Sequence, residues 1–79
     1  MIVKEKKFVK GEYIWRKGEK ATAVYIVKEG ECIYEKNDIA GKVVRSGDFI
    51  GETLCIAKKT TLNTSLKAVN NSTLLYIDS

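Results

Sequence analysis

Phe8-Val9-Lys10-Gly11-Glu12-Tyr13-Ile14-Trp15-Arg16-Lys17-Gly18-Glu19, followed by Val24-Tyr25-Ile26-Val27-Lys28-Glu29-Gly30-Glu31, is the stretch that decides the fold. Runs of β-branched and aromatic residues alternate with glycine turns. β-branched and aromatic side chains fit a pleated, half-buried surface, and glycine supplies the positive φ that tight turns require. Working outward, Cys32-Ile33-Tyr34 precedes a turn at Asn37-Asp38, and Val43-Val44 precedes Ser46-Gly47-Asp48. Short strands at this spacing predict an antiparallel sandwich, jelly roll or barrel. The chain has no proline, so no ladder loses a donor.

Two segments break the rhythm. Gly51-Glu52-Thr53-Leu54-Cys55-Ile56-Ala57 follows a strand and reads as one short helix at about residues 51–57. A polar stretch from Lys58 leads into a final strand pair, about Thr64–Val69 and Leu74–Ile77. Asn70-Asn71 between them is a hairpin signal, because asparagine tolerates positive φ.

Composition narrows the chemistry. Seventy-nine residues make one small domain. With 44% hydrophobic and 30% charged residues the chain is expected to fold, and no apolar run approaches the ~20 residues of a membrane span. The complete absence of histidine removes histidine metal sites, Ser-His triads and Cys-His dyads together. Cys32 and Cys55 are too few for a zinc site or a disulfide scaffold and read as free thiols. The net charge of +4 is spread over interleaved lysines and glutamates with only two arginines, a pattern unlike a nucleic-acid face. Glu12 and Glu19 read as solvated turn carboxylates, Trp15 as core or edge packing, and Asp48 with Glu52 lacks a third catalytic group. No catalytic or metal-binding residues are assigned.

Gly51-Glu52 at a short helix start carries the sharper chemistry. Unpaired N–H groups at a helix N-terminus attract phosphate, and glycine permits its close approach. An adjacent carboxylate can accept hydrogen bonds from a sugar hydroxyl, as an acidic residue does in dinucleotide folds.

The ordered set of glycines and intervening hydrophobics, closing with Gly47-Asp48-Phe49-Ile50-Gly51-Glu52, resembles the cyclic-nucleotide-binding domain family over about residues 8–77. That family includes kinase regulatory domains, channel gating domains and bacterial transcription regulators. The resemblance implies an antiparallel eight-stranded β-roll around a short phosphate-binding helix. It also implies a ligand, cAMP or cGMP, with Glu52 on the ribose 2′-hydroxyl and the N–H groups of Gly51, Glu52, Thr53 and Leu54 facing the cyclic phosphate. The family's cassette ends in an arginine. Counted forward from Glu52 that position is Thr61; counted back from Ser65-Leu66-Lys67-Ala68 it is Leu62, which Asn63 follows. Neither is arginine, and the two counts differ by one residue.

The expectation is therefore a single β-roll domain at residues 1–79 with the family's flanking helices absent, a fragment of a longer cytoplasmic signalling protein. Its partners would be the other domains of that protein, a kinase or kinase regulatory subunit, with cAMP or cGMP binding weakened or lost. The alternative is a working cAMP or cGMP sensor that uses the backbone N–H groups, Glu52 and a non-standard phosphate contact. A histidine-dependent cupin-type metalloenzyme sharing the β-roll architecture is excluded by composition.

Overall fold

A computed structural model of the chain describes residues 3–20, 23–50 and 61–78. Among the described residues there are eight strands and no helix: β1 Val3–Phe8, β2 Tyr13–Trp15, β3 Ala23–Glu29, β4 Glu31–Lys36, β5 Ile39–Arg45, β6 Phe49–Ile50, β7 Ser65–Ala68 and β8 Ser72–Asp78. They form two antiparallel four-stranded sheets, ordered β1-β8-β3-β6 and β2-β7-β4-β5. This is the expected β-roll. The short helix expected at 51–57 lies outside the described residues.

The alternation read from the sequence is what brings the sheets together. Val27 and Leu74 are register partners in the first sheet, as Cys32 and Val44 are in the second, and all four are buried. Ile50 and Leu66 complete the most deeply buried set, and Trp15 joins them at 6% exposure. Each fully buried aliphatic side chain contributes about 1.5–3 kcal/mol relative to exposure. The β4–β5 hairpin turns through Asn37 and Asp38, both at positive φ (52° and 64°), as the sequence predicted.

One strand differs from expectation. The sequence places the first strand at Phe8-Val9, whereas β1 runs from Val3 to Phe8 and only Phe8 is buried. A charged edge strand needs no apolar alternation. It is held by its ladder to β8 and by a Glu5 Oε1–Lys28 Nζ ion pair of 2.8 Å.

Candidate functional site

The described part of the site is the segment that leads into β7, fastened by the loop between β2 and β3. Gly18 N–H donates to the Leu62 carbonyl and Leu62 N–H donates to the Glu19 carbonyl, each at 2.8 Å. Lys20 and Thr61 form an isolated antiparallel bridge. Side chains add to the backbone contacts. Trp15 Nε1–H donates to Thr64 O at 2.9 Å, Lys17 N–H donates to Ser65 Oγ at 2.9 Å, and Lys17 Nζ donates to Asn37 Oδ1 at 3.0 Å. The loop therefore ties the segment to the β4–β5 hairpin as well. Its turn depends on Gly18, whose φ of +96° lies in the left-handed region.

The structure separates the two positions at which the sequence left the arginine equivalent. Thr61 is exposed, across the bridge from Lys20. Leu62 is 3% exposed and belongs to the same apolar cluster as Trp15, Cys32 and Leu66. Asn63 is exposed. Gly51, Glu52, Thr53 and Leu54 lie outside the described residues, as does Cys55.

Around Leu62 the interior is apolar and aromatic. The Trp15 ring lies 5.8 Å from that of Tyr25 and 6.3 Å from that of Tyr34. Burial pushes the Cys32 thiol up, partly offset by a hydrogen bond with Ser72, so the thiol stays protonated and unreactive at neutral pH. Next to Thr64 a cleft of about 330 Å³ opens between that residue and the β4–β5 hairpin, with Tyr34, Lys36, Ile39 and Gly41 among its walls.

The other side of the same sheet is polar and differently organised. Tyr13 Oη–H donates to Glu35 Oε1 at 2.7 Å and Lys67 Nζ reaches Glu35 Oε2 at 3.0 Å. The Arg16 guanidinium lies 4.1 Å from the centre of the Tyr13 ring. The Tyr13 hydroxyl, then Lys67, holds the Glu35 carboxyl below its ordinary range, while Glu35 raises both Tyr13 and Lys67. No group of three or more His, Cys, Asp or Glu side chains among the described residues could hold a metal ion. Among them, too, no helix is long and apolar enough to cross a membrane.

Sequence reasoning missed the fastening role of Lys17, Gly18 and Glu19. Glu19 is exposed as a turn carboxylate should be, but it is its carbonyl that holds Leu62. A backbone contact leaves no side-chain signature. Gly18 was the one available signal.

Two four-stranded antiparallel sheets closed over an apolar and aromatic interior, with a loop-fastened segment before β7, define a β-roll. The model of the cyclic nucleotide-binding domain family matches residues 5–79, and the chain belongs to that family. Its fold is regulatory and non-catalytic. The chain is 31% identical, over 98% of its length, to a protein of Rhodopseudomonas palustris that carries the name of a potassium channel. It is 29% identical, over 95% of its length, to the cGMP-dependent protein kinase of Plasmodium berghei. It spans 19% of the first and 9% of the second. Among solved structures, it superposes with a TM-score of 0.88 on PKAR CBD2 bound to Sp-2Cl-cAMPS, at 29% identity, covering 96% of this chain and 51% of that one.

Proposed function

We propose that this β-roll is the regulatory module of a larger cytoplasmic signalling protein, a kinase or kinase regulatory subunit, and that its affinity for cAMP or cGMP is weakened or lost at the phosphate-binding cassette. The small fraction of its relatives that the chain spans supports a module of a larger protein, and the similarity to the Plasmodium berghei kinase and to PKAR CBD2 supports the kinase context. Leu62 carries the second. The residue standing at the arginine position counted back from β7 is uncharged, buried in the apolar cluster, and has both backbone polar groups engaged by the β2–β3 loop. It offers a cyclic phosphate neither charge nor donor. A charged donor to phosphate contributes about 1.5–3 kcal/mol per hydrogen bond, so loss of a bidentate pair weakens binding by roughly two to four powers of ten.

Titration of the chain with fluorescent cAMP and cGMP tests this. The expected result is no saturable binding at submillimolar nucleotide. Arginine at position 61 or 62 is expected to bring binding into the measurable range; Thr61→Arg, at an exposed position, should leave urea unfolding unchanged, whereas Leu62→Arg places a guanidinium in the apolar cluster and should lower stability as well. Saturable submillimolar binding by the unmodified chain overturns the reading. That result would instead support a working sensor that uses the backbone N–H groups of Gly51, Glu52, Thr53 and Leu54, the Glu52 carboxylate and a non-standard phosphate contact.

A further inference from the structure

Among the described glycines, Gly41 alone does not serve a turn. Gly11, Gly18, Gly30 and Gly47 all lie at positive φ, where a side chain is strained. Gly41 lies inside β5 and is not at positive φ. A Cβ there would meet only Tyr34 O at 3.5 Å and Tyr34 Cβ at 4.0 Å, which is ordinary van der Waals contact. Neither backbone conformation nor crowding calls for glycine. Glycine inside a strand weakens it, and otherwise marks a bulge or a place where another molecule approaches closely.

A bulge is present, because the register passes from Ile33↔Val43 to Glu35↔Ala40 and leaves Gly41 and Lys42 together opposite Tyr34. At this φ the bulge accepts a side chain, so what the glycine provides is space. Tyr34 pairs with buried Leu66 and therefore faces the core side of the sheet. Two residues on, Lys36 pairs with Ile39, which is 71% exposed, so the first sheet no longer covers this end. The cleft of about 330 Å³ lies here, with Tyr34, Gly41, Ile39 and Thr64 among its walls.

The walls fit a flat, uncharged occupant. The Tyr34 ring is braced by Trp15, 6.3 Å away at 55°, and an aromatic face stacks on planar rings of many kinds. The surrounding charges do not select an ion. Glu35 and Lys36 line the cleft with opposite signs, Asp38 and Lys42 flank it with opposite signs, and the Lys17 ammonium is engaged by Asn37 Oδ1. The volume is at the small end of ligand cavities, which suits one or two fused rings.

We propose that this cleft binds an uncharged planar ring system, packed beside Tyr34 in the space that a side chain at position 41 would fill. The ligand class is a purine nucleoside without phosphate, an assignment that rests on the loss of the phosphate contact at Leu62.

NMR titration of the full chain with adenosine and guanosine, and with cAMP and cGMP, tests this. At least one nucleoside is expected to bind saturably in the millimolar range or below, at least fivefold more tightly than its cyclic phosphate, with NOEs to the Tyr34 ring. Gly41→Val puts a side chain into the cleft. It is expected to weaken nucleoside binding at least tenfold without lowering the urea midpoint, because valine favours strands. Tyr34→Phe keeps the ring and is expected to bind within twofold of the unmodified chain, whereas Tyr34→Leu is expected to bind at least fivefold more weakly. Nucleoside binding unaffected by Gly41→Val, or equal loss in Tyr34→Phe and Tyr34→Leu, overturns the proposal. Failure of nucleosides and cyclic nucleotides alike overturns it and leaves the reading of Leu62 standing. Saturable submillimolar binding of cAMP or cGMP overturns that reading, and the nucleoside assignment falls with it.

Discussion

Two glycines with nearly the same backbone sit in different surroundings, and the contrast separates what holds the roll together from what merely shapes it. Gly18, φ +96°, turns the β2–β3 loop onto Leu62; Gly30, φ +91°, turns β3 into β4. Open space surrounds the first: a Cβ there would meet no atom within 4 Å. At the second, a Cβ would collide with Ser72 Oγ, lie 2.7 Å from Ser72 Cα and lie 2.8 Å from Asn71 O. The β3–β4 and β7–β8 turns are thus packed backbone to backbone. Around them Glu31 N–H donates to Asn70 Oδ1 at 2.9 Å, and Lys10 N–H donates to Asn71 Oδ1 at 3.0 Å. One junction is a keystone. The other is a tether of backbone hydrogen bonds with room to adjust.

The largest expected effect breaks that contrast directly. Alanine at either position bears the cost of positive φ, about 1 kcal/mol. Gly30→Ala adds a collision with backbone atoms that no side-chain rotation relieves, and is expected to destabilise by about 3 kcal/mol or more. Gly18→Ala is expected to stay near about 1 kcal/mol. Urea unfolding followed by tryptophan fluorescence reports both through Trp15. Equal losses would mean that the turns at Gly30 and Ser72 separate easily and that there is no keystone.

Ser72 gives a smaller effect and sharpens the same point. Its hydroxyl is buried, donates to Asn70 O at 2.9 Å and accepts from Glu31 N–H at 3.2 Å. Ser72→Ala is expected to cost about 1 kcal/mol, because Glu31 N–H keeps its bond to Asn70 Oδ1. In a Gly30→Ala background it removes only one of the three close neighbours. A double-mutant cycle should therefore show less than half of the Gly30→Ala loss recovered. Full recovery would place the collision on the hydroxyl rather than on the backbone.

These junctions also mark how far the sequence could be read. Strand runs such as Ala23–Val27 and Cys32–Tyr34, the Asn37-Asp38 turn and the buried Trp15 follow from alternation and turn chemistry, which are local properties. β1 does not, because an edge strand of lysine and glutamate carries no apolar period. At the site, the ambiguity between Thr61 and Leu62 could not be resolved by counting residues, because the forward and backward counts differ by one. Burial separates them, since one side chain faces solvent and the other the core. Gly18 and Glu19 act through main-chain atoms 44 and 43 positions distant from Leu62, and side-chain identity does not encode such a contact.

The smallest expected effect comes from the outer face of the second sheet, where, unlike at either junction, the connecting groups titrate. The Gly18–Leu62 tether and the Gly30–Ser72 keystone are joined by backbone, hydroxyl and amide groups that keep their charge at every accessible pH. Glu35, held below its ordinary 4.5 first by Tyr13 and then by Lys67, contributes stability that is present above pH 4.5 and lost as pH falls through its lowered folded value. Tyr13 and Lys67 are raised from 10.0 and 10.5, so their contribution is present below those values and lost as pH rises through the raised ones. Glu35→Gln should flatten both limbs of the stability–pH curve at once, because the carboxylate is the common partner. Gly18→Ala should lower the whole curve without changing its shape. A Glu35→Gln curve parallel to that of the unmodified chain would show that the network is too well solvated to link pH to folding, leaving the neutral junctions to set stability across the range.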